Sequence, residues 1–160
     1  MSVEIDNLPG YHIRRLQQIA VAVFMEETHG FGITPVQYAA LQAVGREPRI
    51  DQRTLARTIG FDTSTIGSVI DRLESRGLMQ RNAHPEDRRV RLLTITPDGQ
   101  QLLDEVEPSV MRAQERMLQP LAPEQRPVFM DMLHTLVRGN NALSRAPSLI
   151  AEERGQRPAR

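Results

Sequence analysis

A mainly α-helical chain with one small β-hairpin is predicted by three observations. Residues 55–73 read as two short helices joined by a glycine turn. Residues 78–96 hold two strand-like runs around a polar loop. Long stretches on either side repeat their apolar residues at helical spacing.

Residues 1–10 carry no usable periodicity and read as a flexible arm. A helix then runs from about Tyr11 to Thr28, with His12, Ile13, Leu16, Ile19, Ala20, Val23 and Phe24 on its inner face, and Gly30 and Gly32 end it. Thr34-Pro35 opens a second helix, with Thr as N-cap and Pro at the first helical position, and it stops near Gly45. Pro48 and Ile50 link it to the next pair.

In that pair, Leu55, Ala56 and Ile59 share one face and Gly60 supplies a positive φ at the helix end. Asp62 or Thr63 caps the following helix, whose apolar stripe is Ile66, Val69, Ile70 and Leu73. Small Ala56, Gly60 four residues on and Ile66 six further give the spacing of a helix-turn-helix: close approach, turn, and a packed side chain between the helices. Gly77 stops the second helix, and Leu78–Arg81 with Val90–Thr96 form a hairpin around the charged loop 82–89. Helix-turn-helix plus hairpin makes a winged helix-turn-helix.

Thr96 caps the next helix, which opens on Pro97-Asp98-Gly99 and reaches about Gln119. Its stripe is Leu102, Leu103, Val106, Val110, Ala113 and Met117, and Pro108 should bend it or cost one hydrogen bond. A last helix follows Pro120–Glu124 to about Arg145, with Val128, Phe129, Met132, Leu133, Leu136, Val137 and Asn140 on one side. Residues 146–160 read as a disordered tail. These long stripes cannot all be buried against one small winged helix, so helix-on-helix packing between two chains is the economical arrangement. The division expected is a flexible arm (1–10), N-terminal helices (11–47), a winged helix-turn-helix lobe (48–97), C-terminal dimerisation helices (98–145) and the tail.

The runs Gly77-Leu78-Met79-Gln80-Arg81, Asp87-Arg88-Arg89 and Leu93-Thr94-Ile95-Thr96-Pro97-Asp98-Gly99 resemble the signature of the MarR family of bacterial transcription regulators, and the likeness extends over about residues 11–140. It implies a twofold homodimer that binds double-stranded DNA at a pseudo-palindromic operator, as a repressor released by a small aromatic carboxylate effector. The opening Leu8–Ile19 with Val21-Ala22-Val23-Phe24 resembles members that control breakdown of nicotinate-like or other aromatic acids. Family members keep an effector pocket among the first two helices, the fifth helix and the lobe. By position, His12, Arg15, Gln37 and Tyr38 are the polar groups nearest it.

On the recognition helix, Thr63, Ser64, Thr65, Gly67, Ser68 and Arg72 lie off the apolar stripe and are candidates for the major groove, with Gly67 allowing close approach; the bland alternative is a solvated helix face. Many family members carry a basic residue at the position of Ser68. In the wing, Arg88 and Arg89 are candidates for the minor groove, and Asp87 is expected to pair with another Arg and hold the loop.

Formal net charge is zero, yet residues 46–91 carry ten Arg against seven acids, a basic centre between acidic arms. All twenty basic residues are Arg. Cys is absent, which removes disulfides, thiolate metal sites and thiol switches, and the four His show no metal-ligand spacing, so neither cofactor nor metal is expected. No GxSxG, P-loop, HExxH or dinucleotide turn is present, so an enzyme is not expected. With no apolar run near ~18 residues and no signal peptide, a soluble cytoplasmic protein is expected, with no membrane partner. The competing class is a winged-helix module that contacts only proteins.

Overall fold

Side-chain caps set where three of the helices begin. The structure is a computed structural model and describes residues 4–149. Helix α1 (Pro9–Glu27) precedes α2 (Pro35–Arg46), which opens on a reciprocal capping box: the Thr34 hydroxyl accepts the Gln37 N–H at 3.4 Å, and the Gln37 Oε1 accepts the Thr34 N–H at 3.1 Å. Helix α3 (Gln52–Ile59) starts on Asp51, whose carboxylate accepts the Thr54 N–H at 2.9 Å and the Thr54 hydroxyl at 2.5 Å. Helix α4 (Ile66–Ser75) completes the helix-turn-helix.

Strands β1 (Ile50–Asp51), β2 (Met79–Ala83) and β3 (Arg91–Ile95) form an antiparallel sheet in the order β1-β3-β2, with Gln80 opposite Thr94 and Ile50 opposite Leu93. Helix α5 (Pro97–Leu118) starts on Thr96, whose hydroxyl accepts the Gly99 N–H at 3.0 Å and donates to Gly77 O at 2.6 Å. It runs unbroken through Pro108. Helix α6 (Gln125–Gly139) follows a turn in which Gln125 Oε1 accepts the Ala122 N–H.

The core lies in the lobe and at the base of α5. Leu41, Val44, Leu55, Ile66, Ile70, Leu73, Leu93 and Val106 are fully buried, each stabilising the fold by about 1.5–3 kcal/mol. The HTH spacing is realised as expected. Ala56 is fully buried, Gly60 sits at φ 65°, and the Phe61 N–H reaches back to Ala56 O at 2.8 Å.

The terminal helices differ. Helix α1 packs on α5; Leu16, Ala20 and Val23 are half-buried and Phe24 is buried, while Ile13, Ile19 and Met25 remain exposed. Helix α6 buries no residue; Val128, Met132, Leu136 and Val137 are each more than half exposed.

Four expectations need correction. The arm is ordered from residue 4, with a 3-10 turn at Ile5–Asn7 and α1 beginning at Pro9. Ile50 is not merely a link but pairs as β1, after Arg49 turns the chain at φ 71°. Helix α6 stops at Gly139, where the Asn140 side chain and backbone both donate to Leu136 O, and a 3-10 turn (Asn141–Leu143) follows. The tail does not begin loose at 146: Ser148 exchanges two hydrogen bonds with the Asn141 side chain and donates its hydroxyl to Thr58 O at 3.2 Å. Residues 150–160 of the expected tail lie outside the described residues.

Candidate nucleic-acid interface

The recognition element begins with a turn before the helix. Asp62 Oδ1 accepts the Ser64 N–H at 2.8 Å, and Asp62 O accepts the N–H groups of Thr65 and Ile66, so α4 starts at Ile66 and Thr65 is its N-cap position. Thr63, Ser64 and Thr65 are all exposed on this turn. Hydrogen bonds from the Ser64 backbone and hydroxyl hold the Asp62 carboxyl below the usual carboxylate range.

Ser68 is exposed and donates its hydroxyl to Thr65 O at 2.9 Å; Thr65 donates its own to Asp62 O at 3.2 Å. With their protons engaged, both hydroxyls face outward as acceptors. Arg72 is exposed in the last turn of α4. Gly67 is half-buried: a Cβ there would make an ordinary contact with the Gln52 amide at 3.4 Å, and its carbonyl accepts from Arg81.

The wing is fastened to this helix by a residue the sequence reading passed over. Arg81 on β2 contacts Glu74 at 2.9 Å and Asp71 at 2.6 Å, both on α4, and donates to Gly67 O at 3.3 Å. Its backbone N–H also donates to Glu74 Oε1. At the C-terminal end of α4, just past Glu74, Arg76 donates to Gly32 O and Phe31 O, tying the helix to the α1–α2 loop.

At the wing tip, Asp87 holds the loop, though not through an arginine side chain: its carboxylate accepts the Arg89 backbone N–H at 2.9 Å, and its carbonyl accepts the Val90 N–H. The expected ion pair is replaced because two residues of separation favour a local carboxylate-to-backbone bond. His84 completes the tip, its Nδ1 accepting N–H groups from Glu86 and Asp87. Arg88 and Arg89 are exposed, and among the described residues neither guanidinium has a partner.

Between the recognition turn and the wing lies a groove of about 660 Å³, lined by Asp51, Gln52, Arg53, Thr63, Arg89 and Arg91. Asp51 keeps its negative charge while it accepts from Thr54, so Arg53, Arg89 and Arg91 outweigh it and leave the lining net positive. Arg53 and Arg91 were not singled out from the sequence. Their signal was present only in part: Arg91 follows the Asp87-Arg88-Arg89 run at the foot of the wing, and Arg53 lies off the α3 stripe.

The four expected effector residues are not brought together within the chain. His12 is exposed, its Nε2 in contact with Asp6 O, because the α1 stripe is packed only from Leu16 onward. Arg15 is exposed and donates to Gln18. Gln37 is buried and committed to the capping box. Tyr38 is half-buried beside Phe24, accepts from Gln42, and borders a small cleft with Glu107. Burial, then Glu107, push its phenol pKa up, against Arg46.

Among the described residues no group of potential metal ligands is assembled, and no helix is long and apolar enough to cross a membrane.

A model of the MarR family matches residues 33–90, from α2 to the wing tip. A putative transcriptional regulatory protein for the hcr operon of Thauera aromatica is 34% identical over 144 residues, covering 89% of this chain and 85% of that protein. The PcaV transcriptional regulator of Streptomyces coelicolor, in complex with its natural ligand, superposes with a TM-score of 0.80 at 34% identity, over 86% of this chain and 96% of that one. BpsR of Bordetella bronchiseptica, whose DNA binding is regulated by 6-hydroxynicotinic acid, superposes with a TM-score of 0.80 at 26% identity, over 85% and 97%.

Proposed function

The chain belongs to the MarR family of DNA-binding transcription regulators, and from that premise we propose that it is a cytoplasmic homodimeric repressor released by a small aromatic carboxylic acid. It is not an enzyme, and the protein-only winged-helix reading is set aside because its relatives regulate transcription.

The observation that carries the reading is the arginine-lined groove between the recognition turn and the wing. Thr63, Ser64, Thr65, Ser68 and Arg72 would meet base edges and phosphate in the major groove, with Arg53 and Arg91 on the backbone and Arg88 or Arg89 in the minor groove. Gly67, with no side chain to stand off, would allow the helix to approach the groove closely.

Dimerisation is supported by the apolar surface that α1, α5 and α6 leave uncovered, including Ile13, Ile19, Met111, Val128, Met132 and Leu136. A second chain would bury it, and a twofold axis would set two recognition turns about one DNA turn apart. An acid effector is supported by the likeness to BpsR, whose regulator is a hydroxylated pyridine carboxylate. Fluorescence anisotropy on duplexes selected from a random pool tests the reading: a selected pseudo-palindrome should bind far more tightly than random duplex, and 6-hydroxynicotinate or 4-hydroxybenzoate should release it.

A further inference from the structure

The end of the described chain is fastened to the helix-turn-helix at its bend. After α6 stops at Gly139, the 3-10 turn Asn141–Leu143 brings the chain back to α3. Asn141 and Ser148 clasp each other there: the Ser148 N–H donates to Asn141 Oδ1 at 2.9 Å, and the Asn141 amide donates to Ser148 O at 3.0 Å. Both residues are half-buried. The Ser148 hydroxyl donates to Thr58 O at 3.2 Å, in the last turn of α3, where helix carbonyls have no intrahelical donor. The clasp lies over Gly60, since a Cβ on that glycine would sit 3.4 Å from Ser148 Cβ and 3.8 Å from Ala146 O. Gly60, at φ 65°, is the bend from which the chain enters the recognition turn.

We propose that residues 140–148 form a strap that holds the recognition turn in its DNA-binding arrangement, with Asn141 and Ser148 as positioning residues. The assignment rests on the placement of that turn against DNA given above. Asn141 and Ser148 act through Thr58 and Gly60 rather than by touching a base. A charge in the strap works in the same direction. The Asp62 carboxylate shapes the turn by accepting the Ser64 N–H. Its pKa is held low first by the Ser64 backbone and hydroxyl, against burial, and the Arg145 charge adds to them. The strap therefore meets the bend 60–62 with a hydrogen bond on the Thr58 side and a positive charge on the Asp62 side.

The strap also links α6 to the lobe. Helix α6 buries no residue of its own, so little of its position is fixed by packing within the chain. A shift of α6 passes through Asn141 to Ser148 and on to Thr58 O. It biases the recognition turn only to the extent that the turn's two arrangements differ in this contact.

The test is amide hydrogen exchange of the full chain, read at Ser64, Thr65 and Ile66, whose N–H groups donate to Asp62. Ser148→Ala removes the hydroxyl, and Asn141→Ala removes the clasp. Each should speed exchange at these three amides about fivefold, the equivalent of one net hydrogen bond. The Arg81 N–H on the wing, which donates to Glu74, should exchange as in wild type. Ser148→Thr, which keeps the hydroxyl, should restore protection. At unchanged melting temperature, the affinity of both Ala variants for a selected duplex should fall about two- to fivefold while affinity for random duplex holds. Equal exchange in wild type and both Ala variants, or faster exchange spread evenly over the chain, overturns the strap. Exchange is measured without DNA, so it decides the strap even where the duplex measurement overturns the DNA-binding reading.

Discussion

Arg81 Nη1 lies 2.9 Å from Glu74 Oε2, so the first strand of the wing is bonded directly to the recognition helix. Because the same guanidinium also reaches Asp71 and Gly67 O, the helix and wing are held at one spacing. The pair is partly exposed, with side-chain exposures of 22% and 39%, so its contribution to stability is about 1 kcal/mol or less. A double-mutant cycle with Arg81→Ala and Glu74→Ala should give a small coupling in urea unfolding. The same cycle on operator affinity should give a larger coupling. Equal couplings would mean the contact serves stability alone.

Arg53, Arg88, Arg89 and Arg91 should behave as phosphate and groove contacts. Each lost phosphate contact reduces the salt slope of log K by about 0.9. Replacing Arg88 and Arg89 together by Ala should flatten it by about 1 to 2 per half-site and weaken random and selected duplex alike. Thr65→Ala or Ser68→Ala should instead act on selected sequence, at positions offering adenine N6 or cytosine N4 donors, since both hydroxyls face outward as acceptors. Salt titrations on both duplex types separate the two classes.

Gly99 is needed for a close approach of helix to strand. A Cβ there would lie 2.1 Å from Leu78 O and 2.8 Å from Ile95 Cγ1, so Gly99→Ala must push α5 away from the wing base. The expected cost is about 3 kcal/mol, read as a lower urea midpoint. An unchanged midpoint would show that the Thr96 cap is not held against Leu78 in solution.

Asp51 opens α3, and Asp51→Ala should cost about 1 kcal/mol. Burial pushes its carboxyl up, but hydrogen bonds from the Thr54 hydroxyl and backbone outweigh it, leaving the pKa below the usual carboxylate range. A depressed acid contributes stability above its unfolded-state pKa and loses it as pH falls through the folded value, so this term should fade below about pH 4. Wild type and Asp51→Asn should therefore converge in melting temperature on acidification.

How much was legible from sequence follows from the range of each interaction. The stripe Ile66, Val69, Ile70 and Leu73 is wholly buried, because a period of 3.6 is written locally. The start of α4 was placed too early because Asp62 suits an N-cap and a turn equally well. Strand β1 was missed because two paired residues after a positive-φ Arg49 carry no pattern. Arg81, Arg53 and Arg91 were missed because their roles depend on which elements fold together. His12, Arg15, Gln37 and Tyr38 are not gathered within one chain, because an apolar stripe on α1 does not identify what it packs against.

Assignment of the arginine-lined groove to DNA is the central proposal, and hydroxyl-radical footprinting of the wild type on a duplex selected from a random pool tests it most directly. Two protected patches should appear about 10 base pairs apart, centre to centre, related by a pseudo-twofold axis. Arg89→Ala should lose the minor-groove protection flanking each patch while keeping the central ones. A pool that yields no enriched sequence, or protection that Arg89→Ala and Arg53→Ala leave unchanged, would contradict the assignment of this groove to DNA.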